Sequence, residues 1–285
     1  MKKNRFISFL IILISYIVSF VLGYISYINL PFNDYINLLI ADIISTAIIF
    51  IFSLIFNNAS IYDPYWSVFP VVLVIMLLLT KELNAVRILM AIAIIGWGIR
   101  LTLNWAYTFK NLTEMDWRYV KIKEKTKFFY PIANLIGIQL MPTLIVYLCI
   151  LPVMFVFNND VTLNPFVIIF FTLSIFAFTM QGIADYEMHK FRKKKNGIYN
   201  RNGLWKYSRH PNYLGEIMMW WMVALMAIFA LQGYYFLVIG ATVNTALFLF
   251  ISIPLAEKHQ MERKPDFLEY KKETRMLLPI YKKSK

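Results

Sequence analysis

The sequence predicts an all-α fold: a polytopic integral membrane helical bundle of seven or eight transmembrane helices. Three observations lead there. Hydrophobic residues make up 59% of the 285 positions and the mean hydropathy is +0.58, too apolar for an ordinary soluble domain. The apolar residues gather into runs long enough to span a bilayer. The 29 Lys and Arg concentrate in a few segments between those runs, as expected of cytosolic loops.

Taken in order, the runs lie near residues 6–29, 37–56, 68–80, 88–109, 131–157, 165–183, 211–231 and 234–256. The first follows Lys2, Lys3 and Arg5 as a signal peptide would. It continues too far for one, and no small-residue cleavage site stands out, so it reads as a retained helix. The third is short, and only Gln232 and Gly233 divide the last two, which leaves the count at seven or eight. Charge favours eight with both termini cytosolic. The inside loops are then 57–67, 110–127, 184–210 and the tail from 257, and the last three hold most of the Lys and Arg. Of the outside loops, 30–36, 158–164 and 232–233 hold none, and 81–87 carries Lys81 and Arg87. No repeat or linker divides the chain, so 1–285 reads as one membrane domain. Its first half, 1–127, is expected to line a substrate pocket, and 128–285 to hold a cofactor.

Positive-inside topology accounts for the net charge of +13, and no nucleic-acid partner is required. Cys149, alone in an apolar run, excludes a disulfide framework or a cysteine metal site, and nothing calls for a metal. There is no G-x-G-x-x-G after a strand, no P-loop and no H-E-x-x-H. Gly96-Trp97-Gly98 lies within a span and reads as helix packing. Oligomeric state is not legible.

The densest polar stretch is Asn200–Glu216, NRNGLWKYSRHPNYLGE. Pro211 fits the first turn of a helix, with Ser208 ahead of it as an N-cap. A helix starting there points its free amides at whatever Arg209 and His210 hold, which predicts an anion site. Arg209, Asn212, Tyr213 and Glu216 are spaced to share a face. Upstream, Gln181, Asp185, His189 and Arg192 form a second stripe.

The loop Ser60-Ile61-Tyr62-Asp63-Pro64-Tyr65-Trp66-Ser67 places one carboxylate among aromatic rings. The rings alone read equally as an interfacial aromatic belt. Asp63 in such surroundings is a candidate to hold a proton near neutral pH. Arg100, Asn104 and Tyr107 share a face leading to Glu114–Tyr119. Arg100 sits inside a span, where a charge costs roughly 2.5–3.5 kcal/mol unless it finds a partner or water. Depth alone suggests Asp42, in the second span, as that partner. In the tail, which closes with Leu277-Leu278-Pro279-Ile280, Arg263 and His259 stand one turn apart. They are placed to close over an anion on an otherwise solvated helix at the acidic leaflet.

These pieces together resemble the steroid 5-alpha-reductase-like family, most closely its bacterial branch: YDPYWS at 62–67, RLTLNW at 100–105, DWRY at 116–119, QGIADYEMHKFR at 181–192, GLWKYSRHPNYLGE at 203–216 and FLEYKKETRMLLPIY in the tail. The resemblance implies a helical bundle that holds NADPH and delivers a hydride to the carbon–carbon double bond of an enone-type lipid. It carries cofactor binding onto Gln181, Asp185, Arg192, Asn212 and Glu216, with His189, Arg209, His210, Tyr213 and Arg263 as neighbours. Animal members have an asparagine where this chain has Gln181. Where they polarise the ketone with a glutamate and a tyrosine, Asp63 is the match, and the candidate catalytic set is Asp63, Tyr62, Tyr65 and Asn104. The expected partners are a lipophilic small-molecule substrate and the bilayer. The stretch from Arg209 to Glu216 is also similar to isoprenylcysteine carboxyl methyltransferases, which implies S-adenosylmethionine as the alternative cofactor.

Overall fold

The computed structural model describes residues 2–194, 199–264 and 266–279. Among these residues there is no strand, and one isolated bridge joins Ser208 to Arg275. The all-α expectation holds. Among the described residues eight helices are long and apolar enough to cross a membrane, which makes the protein an integral membrane helical bundle.

The spans follow the apolar runs closely. α1 (Arg5–Asn29) and α2 (Asp34–Ile55) form an antiparallel pair, each opened by an asparagine whose side chain accepts from a first-turn amide, Asn4 from Ile7 and Asn33 from Ile36. A short 3₁₀ turn, Ala59–Tyr62, leads into α3 (Tyr65–Thr80), which packs on α4 (Ala85–Thr108). The basic segment after α4 folds into α5 (Trp117–Thr126), capped by Asp116 through Arg118 N. α6 (Tyr130–Ala133) and a π-helical turn over Asn134–Leu140 then run into α7 (Met141–Asn158).

α8 (Pro165–Lys194) and α9 (Pro211–Leu231) make the most extensive helix pair. Gly215 allows their close approach: a Cβ there would stand 2.7 Å from the Ala177 carbonyl oxygen and closer still to Gln181 Cγ. α10 (Ile239–Leu247), a second π turn (Phe248–Ser252) and α11 (Ile253–Arg263) complete the eighth span, and α12 (Phe267–Glu273) folds back as the tail. Of the tail motif, Ile280 and Tyr281 lie outside the described residues.

Two sequence expectations are corrected here. The YDPYWS segment is not an interfacial belt: Tyr62, Tyr65 and Ser67 are buried in the bundle core, where Tyr65 stacks between Tyr62 and Phe69. Asp42 does not pair with Arg100. It accepts from Tyr65 Oη at 2.7 Å, because α2 packs against the 3₁₀ turn that leads into α3 and against α7, while Arg100 on α4 faces α8.

Candidate functional site

Arg100 is the centre of the interior polar cluster. Its Nη1 donates to Asp185 Oδ2 at 2.9 Å, and its Nη2 bonds Gln181 Oε1 and lies 3.7 Å from Glu216 Oε2. Glu216 is clamped further by two indole N–H groups, Trp97 Nε1 and Trp220 Nε1, each at 2.9 Å. One cation therefore serves two carboxylates. This packing explains the spacing of Gln181 and Asp185, one turn apart on α8 and both turned toward α4. Asn212 stands beside Asp185, and His189 Nε2 bonds Asn104 Oδ1 at 2.7 Å, extending the stripe by one more turn.

Tyr213 packs its ring on His210 and Phe248 and lies within the electrostatic reach of both Asp185 and the aromatic-acidic segment with Asp116 and Arg118. There Tyr119 Oη donates to Asp63 Oδ1 at 2.7 Å, Ser60 Oγ accepts from Asp116 N at 2.9 Å, and Arg118 forks onto Asp116 at 2.8 and 3.0 Å. Tyr62 and Tyr65 turn elsewhere, Tyr62 Oη to Thr143 at 2.7 Å and Tyr65 Oη to Asp42. Their hydroxyls bond within the core and not to Asp63. The ring that meets Asp63 is Tyr119, absent from the candidate set. Its signal was its position in DWRY, but its pairing with Asp63 spans two segments and has no sequence periodicity.

The helix start at Pro211 is as expected, but the anion is the protein's own. Arg209 Nη2 and Nε lie 2.7 and 2.8 Å from Glu257 Oε1, and Arg209 Nη1 also bonds the Thr274 carbonyl. His210 Nε2 approaches the same carboxylate at 3.3 Å, and Lys271 Nζ reaches Glu257 Oε2 at 2.9 Å. Arg209 therefore precedes the helix and leaves the face shared by Asn212, Tyr213 and Glu216. It is buried, and its donors are engaged in fixing the tail. The N-cap is His210, whose amide donates to Ser208 Oγ at 3.2 Å. Burial pushes the His210 imidazole below its ordinary value of 6.5, against the opposing pull of Glu257.

The two outlying arginines act instead on one lysine. Arg192 at the end of α8 and Arg263 at the end of α11 both bear on Lys264, whose ammonium is pushed below its ordinary value by burial and then by these two cations. None of the three has a carboxylate partner among the described residues. Arg263 Nη1 lies 3.5 Å from His259 Nε2, and His259 stacks on Trp117 at 3.7 Å between ring centres, which joins α11 to α5. A cavity of about 660 Å³ lies between α4 and α8, with Arg100, Asn104, Asp185 and His189 at its floor.

The chain belongs to the family described as protein of unknown function (DUF1295), whose model matches residues 49–274. It is similar to an uncharacterized protein of Schizosaccharomyces pombe, 24% identical over 253 residues that cover 78% of this chain and 73% of the relative. No solved structure matches it.

Proposed function

We propose that the protein is a membrane-embedded, NADPH-dependent reductase acting on the carbon–carbon double bond of an enone-type lipid, with both termini in the cytosol. The carrying observation is the polar floor of the cavity between α4 and α8, where Arg100 meets Asp185 at 2.9 Å and Asn104 meets His189 at 2.7 Å. The guanidinium and ammonium groups of Arg192, Arg263 and Lys264, which have no carboxylate partner among the described residues, suit phosphates. The carboxylate of Asp185 suits sugar hydroxyls, and buried Arg100 Nε lacks an acceptor, as a site that completes itself on binding would have it. These residues fit a dinucleotide. The association of the family with steroid 5-alpha-reductase-like proteins supports the same reading.

NADPH, when bound, supplies the hydride. The chain's own part is to hold and deliver a proton. Asp63 Oδ1 and Tyr119 Oη share one across 2.7 Å, and that proton is the one passed to the substrate. Asn104 orients His189 at the floor of the cavity. Gln181 and Glu216 fix Arg100 and so position the site.

Isothermal titration of the purified protein with NADPH and with S-adenosylmethionine tests this. The expected result is tighter binding of NADPH, weakened in Arg192→Ala. Asp63→Asn is expected to bind NADPH as the wild type does while oxidising it more slowly with an enone lipid. Binding of S-adenosylmethionine alone would overturn the reductase and favour the methyltransferase.

A further inference from the structure

The cavity between α4 and α8 has a second character that the reductase reading does not use. Its floor is polar, but its walls include Leu103, Tyr107 and Tyr186, which are 64%, 53% and 66% exposed on two membrane-spanning helices. Such apolar surface on a span faces lipid. Its rim is formed by Lys190, Lys193 and Lys194 in the last turns of α8, all exposed. Lys193 Nζ stands 5.5 Å from the centre of the Tyr107 ring, and none of the three has a carboxylate partner among the described residues. Arg100 in the floor is shared by Asp185 and Glu216 and brings no net positive charge, so the uncompensated positive charge of the groove lies at its rim.

We propose that this groove seats one anionic glycerophospholipid from the leaflet on the side of the basic loops, its headgroup phosphate on the rim lysines and an acyl chain along Leu103, Tyr107 and Tyr186. Charge complementarity selects the occupant. A zwitterionic lipid gains the apolar contacts but brings no net charge to three lysines, and a free phosphate gains the charge without the wall. Each lysine near the surface favours an anionic over a neutral lipid, and three together amount to about a hundredfold in affinity. Gly182 lines the same groove, where a Cβ would come no closer than 3.7 Å to Arg100 Cγ, so a larger side chain there projects into free space.

The test is native mass spectrometry of the delipidated full chain titrated with phosphatidylglycerol, with phosphatidylcholine and with inorganic phosphate. One phosphatidylglycerol per chain is expected to bind about a hundredfold more tightly than phosphatidylcholine. The preference is expected to vanish in the triple variant Lys190→Ala, Lys193→Ala, Lys194→Ala and to persist in the control triple Lys121→Ala, Lys123→Ala, Lys125→Ala. Gly182→Leu removes no charge and is expected to lose the lipid by filling the groove, so it carries the test alone if the triple variant does not fold. Equal binding of the two lipids, displacement of the lipid by inorganic phosphate, loss of the preference in the control triple, or wild-type binding by Gly182→Leu overturns the assignment.

Discussion

The protein contains two buried charge clusters of opposite design. Within the bundle, the single cation Arg100 is shared by Asp185 and Glu216. At the end that carries the basic loop before α9, the single anion Glu257 is shared by Arg209, His210 and Lys271. The first joins three spans, α4, α8 and α9, and has indole donors but no backbone among its partners. The second joins a loop to a tail, and Arg209 keeps backbone carbonyls as reserve acceptors. The difference concerns what happens when the central charge is removed. Two carboxylates left in an apolar span have nowhere to turn, whereas an arginine at the edge can fall back on carbonyls and water.

Arg100→Met is therefore expected to have the largest effect, destabilising by roughly 3–5 kcal/mol because two buried carboxylates lose their counter-charge. Thermal unfolding in detergent measures it, and a near-neutral result would make the cluster dispensable. Glu257→Gln should cost less, about 1.5–3 kcal/mol, the range for hydrogen bonds to charged groups. Its signature is local, with limited proteolysis expected to release the 267–276 segment while the spans stay intact.

Tyr270→Phe removes the bond from Tyr270 Oη to the Trp205 carbonyl, 2.6 Å long, which also ties tail to loop. About 0.5–1.5 kcal/mol is expected, read as a modest rise in the same cleavage rate. Mild acid is the gentlest perturbation. His210 is held neutral with a folded value below 6.5, so on acidification the unfolded form takes up the proton first. Its contribution is fully present above pH 6.5 and is lost as pH falls through the folded value. Hydrogen exchange at 205–210 should therefore accelerate below pH 6.5 in the wild type and lose that dependence in His210→Asn.

Much of the fold was legible in the sequence. The apolar runs mark all eight spans, and Pro211 marks the start of α9 to the residue, because hydropathy and proline chemistry act locally. The stripe Gln181, Asp185 and His189 was likewise readable from helical spacing. The buried state of Tyr62 and Tyr65 was not, since an aromatic loop at an interface and one folded into a core have the same composition. Nor was the turn at Gly203, where the backbone takes φ +57° and Glu187 Oε2 accepts from Leu204 N at 2.9 Å, a contact across a loop.

By itself, then, the sequence determined that this is a helical membrane protein, where its helices run and which of their faces are polar. Only the tertiary structure decided which charge meets which. Arg100 found Asp185 and Glu216 and not Asp42, and Arg209 found Glu257 and no free anion. The physical reason is range: periodicity and capping are set within a few residues, whereas an ion pair is set by which helix faces pack together, and those faces lie far apart along the chain.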